Sequence, residues 1–194
     1  MASEKIDADD LLKRATKKHN IHLNVLVAET SLWASPKVHF YLVEENGVGT
    51  FFPNVRRYRA GEGEKKGQVI NGIRLDDNSY ANHAIKRSIG IARENLKGFE
   101  SCHIWPLSCY DELCHTVIAN LVLLPRALAG LTDHDEEIQD TLKYRSFELY
   151  GWYPKNQKEP LKPSSYPTNW LSPYEFTPQV EKALHRRKAS ILKK

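Results

Sequence analysis

The sequence predicts an α+β fold, and three observations carry that expectation. Hydrophobic residues make up 41% of 194 positions, enough for a core. Short alternating apolar runs in the first half read as strands, beside stretches with helical spacing. A dense apolar run at 118–124 precedes a further helical pattern at 135–150. The length fits one domain, or one core with a smaller appendage. The longest apolar runs, such as 121–124, are far too short to span a bilayer, which argues against a membrane protein. The acidic, polar start lacks an apolar segment, so no signal peptide is expected. Three cysteines are too few for a disulfide scaffold, and a cytoplasmic protein is expected.

The elements follow in order. Residues 7–19 read as a short helix, with Leu11, Leu12 and Ala15 at helical spacing and Asp7, Asp9 and Asp10 near its start. Residues 21–28 alternate and predict a strand. A second strand is expected at 38–43, then a turn at Glu45-Asn46-Gly47 and a hairpin partner at 48–52. Residues 59–67, rich in Gly, Glu and Lys, predict an exposed loop, and 69–75 another strand. Asp76, Asp77, Asn78 and Ser79 suit a helix start. The helix would run over 80–96, burying Ala84, Ile85, Ile89 and Ala92, and stop at Lys97-Gly98. After a short segment at 99–104 comes the run 118–124, with Pro125 at a helix start. The helix at 135–150 would turn Ile138, Leu142, Tyr144 and Leu149 inward. Residues 151–178 hold six prolines among Trp152, Tyr153, Tyr166, Trp170 and Tyr174, which predicts an extended arm laying aromatics onto a surface.

Charge says less in total than in distribution. There are 28 basic and 24 acidic residues, a net +4. Arg56, Arg57 and Arg59 cluster, as do Lys86, Arg87 and Arg93. The last fourteen residues carry Lys182, Arg186, Arg187, Lys188, Lys193 and Lys194 against Glu181 alone. Such clusters neutralise phosphates, or are simply solvated surface.

The informative stretch is Ser-Cys-His-Ile-Trp-Pro-Leu-Ser at 101–108, followed by Ile-Ala-Asn-Leu-Val-Leu-Leu-Pro at 118–125. Pro106 lies three residues after His103, and Asn120 seventeen after it. This pattern resembles the HNH nuclease family, whose ββα-metal motif reads roughly Asp-His-Ile-x-Pro, then Asn-Leu-x-x-Leu, then a helix bearing Asn or His. The resemblance covers about residues 98–150, a quarter of the chain, and its third element does not match cleanly. It implies a ββα-metal element in the C-terminal half, joined to a strand-rich N-terminal region with helices. The expected regions are 1–97 for recognition, 98–150 for catalysis, and 151–194 as a Pro/aromatic arm and basic tail.

Chemistry gives these residue types a reason. Phosphodiester cleavage needs an activated water, and a neutral imidazole is a suitable general base. A divalent cation stabilises the leaving oxygen. By resemblance His103 is the base and Asn120 fixes the loop across the hairpin. The family often carries a metal ligand just before the base, where this chain has the soft thiol Cys102. Its helix ligand usually lies nine residues after the Asn, which is Ala129 here. Asp133 lies thirteen residues on, beside His134. By resemblance the ligands are thus Asp133 or His134, with Asn120 itself contributing and Cys102 a poor third, or the site has lost its metal. Mg²⁺ is the expected ion, with Mn²⁺, Ni²⁺ and Zn²⁺ as alternatives. A four-ligand zinc site of Cys102, Cys109, Cys114 and His115 has spacings unlike the common knuckles, and free thiols are the simpler expectation. DNA contacts are expected from Lys86 and Arg87, from Arg126 after Pro125, and from His115 placed beside His103.

The resulting expectation is a metal-dependent endonuclease hydrolysing DNA, with a restriction or phage-defence role by analogy. Double-strand cleavage by one site predicts a homodimer. Its rival is a non-catalytic nucleic-acid or protein-binding module on a degenerate HNH scaffold. A nuclease acting on RNA differs only in substrate.

Overall fold

In the computed structural model, residues 8–92, 95–105 and 107–191 are described. Asp7, Arg93, Pro106, Lys193 and Lys194, invoked above, lie outside them. The architecture is mixed α+β, with two small sheets set among helices. No helix among the described residues is long and apolar enough to cross a membrane.

The N-terminal region is mainly helical, which corrects the strands expected there. After α1 (Ala8–Lys18), the run at 21–28 falls largely in α2 (Leu23–Thr30). Its buried positions Asn24, Val27 and Ala28 fall at helical spacing, so the apolar residues satisfied both periods. The second expected strand is α3 (Pro36–Asn46). Pro36 occupies the first helical turn, where its missing N–H costs nothing. Gly47, at φ 77°, caps the other end in the left-handed region. No hairpin follows: Thr50 makes only an isolated bridge to Val117.

A three-stranded sheet comes next, in the order β1-β3-β2. β1 (Val55–Arg57) runs parallel to β3 (Ile73–Asp76), and β2 (Val69–Ile70) runs antiparallel to it. The single strand expected over 69–75 is broken by Asn71-Gly72, both at positive φ, into a two-residue hairpin. Helix α4 (Ser79–Ser88) is shorter than the expected 80–96. Gly90 turns the chain at φ 70°, and a Cβ there would meet Val180 at 2.9 Å.

The second sheet is the antiparallel pair β4 (Phe99–His103) and β5 (Leu121–Pro125). It sits at the centre of the molecule. Leu121 and Leu123 face one cluster, with Leu42, Phe51, Ile85, Val180 and Leu184. Val122 and Leu124 face another, with Val27, Trp33, Ile138, Leu142 and Tyr150. Burial on both faces explains why β5 reads as an unbroken apolar run. Each cluster draws on residues before 98, between 98 and 150, and after 150.

Short helices α5 (Arg126–Ala129) and α6 (Leu131–His134) follow, then α7 (Glu136–Tyr150), capped by Asp135 accepting from the Ile138 amide at 2.9 Å. Residues 151–177 contain no helix or strand. Their aromatics pack inward, with Trp170 edge-on to Trp33 at 6.0 Å and Trp152 and Tyr153 against the second cluster. Helix α8 (Pro178–Ile191) closes the chain. Arg187 anchors it, donating to the Phe51 carbonyl at 2.7 Å and pairing with Glu45 at 2.6 Å.

Candidate active site

His103 ends β4 opposite Leu121, and the loop between the strands folds around Asn120. That residue is fully buried. Its Oδ1 accepts from the Trp105 amide at 3.3 Å, and its Nδ2 donates to Ser108 Oγ at 2.8 Å and to the Cys114 carbonyl at 2.9 Å. Its own carbonyl accepts from the Ile104 amide at 3.0 Å. One side chain therefore ties both ends of the loop together, leaving its own polar atoms satisfied.

His103 is half-buried, with Nε2 2.9 Å from the carbonyl oxygen of His115. A carbonyl only accepts, so Nε2 carries the proton. Burial, with His115 and Arg57 nearby, pushes the imidazole down to about 3 despite the opposing bond to the His115 carbonyl. The ring is neutral at pH 7, and its lone pair lies on Nδ1. That atom has no hydrogen-bond partner among the described residues.

Behind it, the His115 ring stacks on His103 at 5.2 Å and 17°. His115 has no exposed surface, and its Nε2 donates to Asp76 Oδ2 at 3.2 Å. Asp76 ends β3 just before α4. It also accepts from Ser79 Oγ at 2.6 Å and from the Tyr80 amide at 2.8 Å. Burial alone would raise this carboxyl. The bonds from His115, Ser79, Tyr80 and the Asp77 amide outweigh burial and hold it well below the usual range. Arg57 lies opposite Asp76 in the β1–β3 register, and its charge acts on His103 and Cys109.

The structure thus brings His103, His115 and Asn120 together. His115 is too buried to touch a phosphate itself and instead supports His103 from behind. Arg126 sits at the opposite end of the hairpin, its amide bonded to the Gly98 carbonyl. Four residues of strand, about 13 Å, separate that end from His103, so Arg126 is not beside it. Lys86 and Arg87 lie on α4, away from the base. Asp76 is the residue sequence reasoning missed, and Arg57, read there only as one of a basic cluster, lies opposite it in the strand register. Asp76 read only as a helix start, and nothing in its spacing ties it to a histidine 39 residues on.

The resemblance implies a divalent cation, and the donor set does not fit one. Strand alternation turns Cys102 to the face opposite His103. Its Sγ lies 4.0 Å from the carbonyl oxygen of Ala129, so the two positions where the family carries ligands touch each other here without a metal-binding pair. Burial pushes the Cys102 thiol up to about 12, which keeps it protonated. Hard cations want oxygen, and zinc wants thiolate. Asp133 and His134 are exposed on α6. No three His, Cys, Asp or Glu side chains converge on a metal site among the described residues. Nor do the alternative zinc ligands assemble, since His115 is bonded to Asp76 while Cys102 faces Ala129. All three cysteines are buried free thiols.

The chain matches no family model, no curated protein and no solved structure.

Proposed function

We propose that this protein is an endonuclease acting on DNA, with His103 as its general base. The observation that carries the reading is the His103 ring, held through Nε2 by the His115 carbonyl with Nδ1 left unpartnered. A water attacking phosphorus gives its proton to Nδ1. The bond from phosphorus to the 3′-oxygen breaks, that oxygen takes a proton from solvent, and a 5′-phosphate remains. Arg57, positioned by its pairing with Asp76, offsets charge that builds on the phosphoryl oxygens. Asn120 keeps the loop carbonyl of His115 where it can hold the base.

The test is cleavage of plasmid and phage DNA, with Mg²⁺, Mn²⁺ or Ni²⁺ and with chelator, comparing wild type with His103→Ala. The expected loss on substitution is about 10²–10⁴-fold, the usual contribution of a general base. Equal cutting by both proteins would remove His103 from the reaction. Cutting of RNA alone would change the substrate.

A second reading is supported by the Cys102–Ala129 contact, where one family ligand position holds a buried protonated thiol and the other no donor side chain. In it the chain is a non-catalytic nucleic-acid-binding module on the same scaffold. Binding of DNA without cleavage in any of these conditions selects it.

A further inference from the structure

Helices α4 and α8 form a groove remote from the hairpin loop. Each presents one face to it at helical spacing: Ser79, Tyr80, His83 and Arg87 from α4, and Gln179, Lys182, Ala183 and Arg186 from α8. Ala183 and Gly90 are small where the helices approach, and a Cβ on Gly90 would collide with Val180. Lys86 lines the groove's continuation toward Gly90, and no carboxylate lines either stretch among the described residues. Lys182, Arg186 and Arg87 are exposed. The platform beneath them is fixed, because Val180, Leu184 and Arg187 of α8 are buried.

We infer that this groove is a docking track for the phosphate backbone of duplex DNA, an inference that rests on the nuclease reading for its choice of polyanion. The spacing of the basic side chains suits a phosphate backbone, and the covered aromatics favour a duplex over a single strand. Lys182 and Arg186 stand one helical turn apart on a rigid helix, a spacing suited to successive backbone phosphates. Single strands are gripped by exposed aromatic platforms. Here the groove's aromatics are covered instead, Phe52 by Arg87 at 5.7 Å and Tyr80 by Arg74 at 5.6 Å. A chain of contacts links the groove to the candidate base. Ser79, on its wall, bonds Asp76, which bonds His115, which stacks on His103.

The experiment measures binding of a 20-base-pair duplex of arbitrary sequence by fluorescence anisotropy across a salt series, using His103→Ala protein so that no cleavage intervenes. Lys182→Gln/Arg186→Gln is compared with Lys17→Gln/Lys18→Gln, an equal change of charge on α1. The α8 variant is expected to bind on the order of tenfold more weakly, with a salt slope lower by about 2, near 0.9 for each phosphate no longer neutralised. The α1 variant should match its parent. Unchanged affinity and slope in the α8 variant would overturn the groove, as would tighter binding of single-stranded DNA or RNA than of duplex. The two readings fail separately. Groove-dependent binding by a wild type that cuts nothing rejects the nuclease and keeps the groove, whereas cutting with an indifferent groove does the reverse.

Discussion

The Asp76 carboxylate organises one side of the candidate site, and replacing it tests how. Asp76→Asn keeps one oxygen. Placed where Oδ2 now lies, that oxygen still accepts from His115 and from the Tyr80 amide, while Ser79 already has a second acceptor in Asp77 at 2.7 Å. Each retained bond changes from charge-assisted to neutral, a loss of about 1 kcal/mol apiece, so about 2 kcal/mol in all. Asp76→Ala removes both acceptors and leaves the His115 ring N–H and the Tyr80 amide without them, while the Asp77 amide, on an exposed residue, turns to solvent. At about 2 kcal/mol for each, the cost is about 4 kcal/mol. Urea unfolding at pH 7 measures both. The folded carboxyl titrates below its unfolded value of 3.8, so its stabilisation is fully present above that value and is lost as pH falls through the folded one. Neutral pH therefore reads the whole effect. Equal stabilities for Asp76→Ala and wild type would refute the reasoning, since the buried His115 would then not need its acceptor.

Two further perturbations follow from buried groups. His39 is buried against Gly49 and Tyr150, and burial pushes it down to about 4 from 6.5. Between those values the unfolded chain binds a proton that the folded one refuses, so stability falls as pH drops. From pH 7 to pH 5 the expected loss from this residue is about 2 kcal/mol, and the fall in stability read by urea unfolding across that range should be smaller by that amount in His39→Gln, with His103 still contributing its own share. Asn120→Ala leaves the Trp105 amide and the Cys114 carbonyl buried without their partner. It should cost about 3 kcal/mol, read as a lower thermal midpoint.

The sequence was most legible where a pattern had one physical reading. The helix at 135–150 carried an Asp cap and a helical period, and the structure ends it on Gly151 in the left-handed region. The proline-rich arm could form neither helix nor ladder, and it does not. The first half was harder because residues 21–28 and 38–43 are short and apolar, and such runs suit a strand or a buried helix equally. The deciding signals were small and local: Pro36 at a helix start, Asn71-Gly72 dividing a strand, Gly90 where α8 crosses. At the site, His103 and Asn120 were visible because a strand end and its loop lie close in sequence. Asp76 and Arg57 come from a different sheet. Only the parallel pairing of β1 with β3 brings them to the histidines, and parallel pairing joins segments too distant for any local spacing to reveal.

The hairpin has two sides with different chemistry, and this bears on the choice between the two functional readings. On one side the His103 ring stacks on His115, His115 bonds Asp76, and Arg57 lies opposite Asp76 in the strand register, with burial pushing His103 down and hydrogen bonds holding Asp76 low. On the other, Cys102 and Ala129 belong to an apolar cluster with Ile104, Val122 and Leu128. A scaffold kept only for its shape has no need of the first side. Burying an aspartate is costly unless every oxygen is bonded, and an apolar pair of similar volume would pack there at less cost. The polar side instead uses strands of two sheets and a helix to hold two stacked imidazoles, each fixed through Nε2 with Nδ1 left without a partner. That expense supports the catalytic reading. The apolar side identifies what a catalytic reading has to replace, namely the positive charge a metal would bring, and Arg57 is the cation nearest in the strand register to the groups that hold the base.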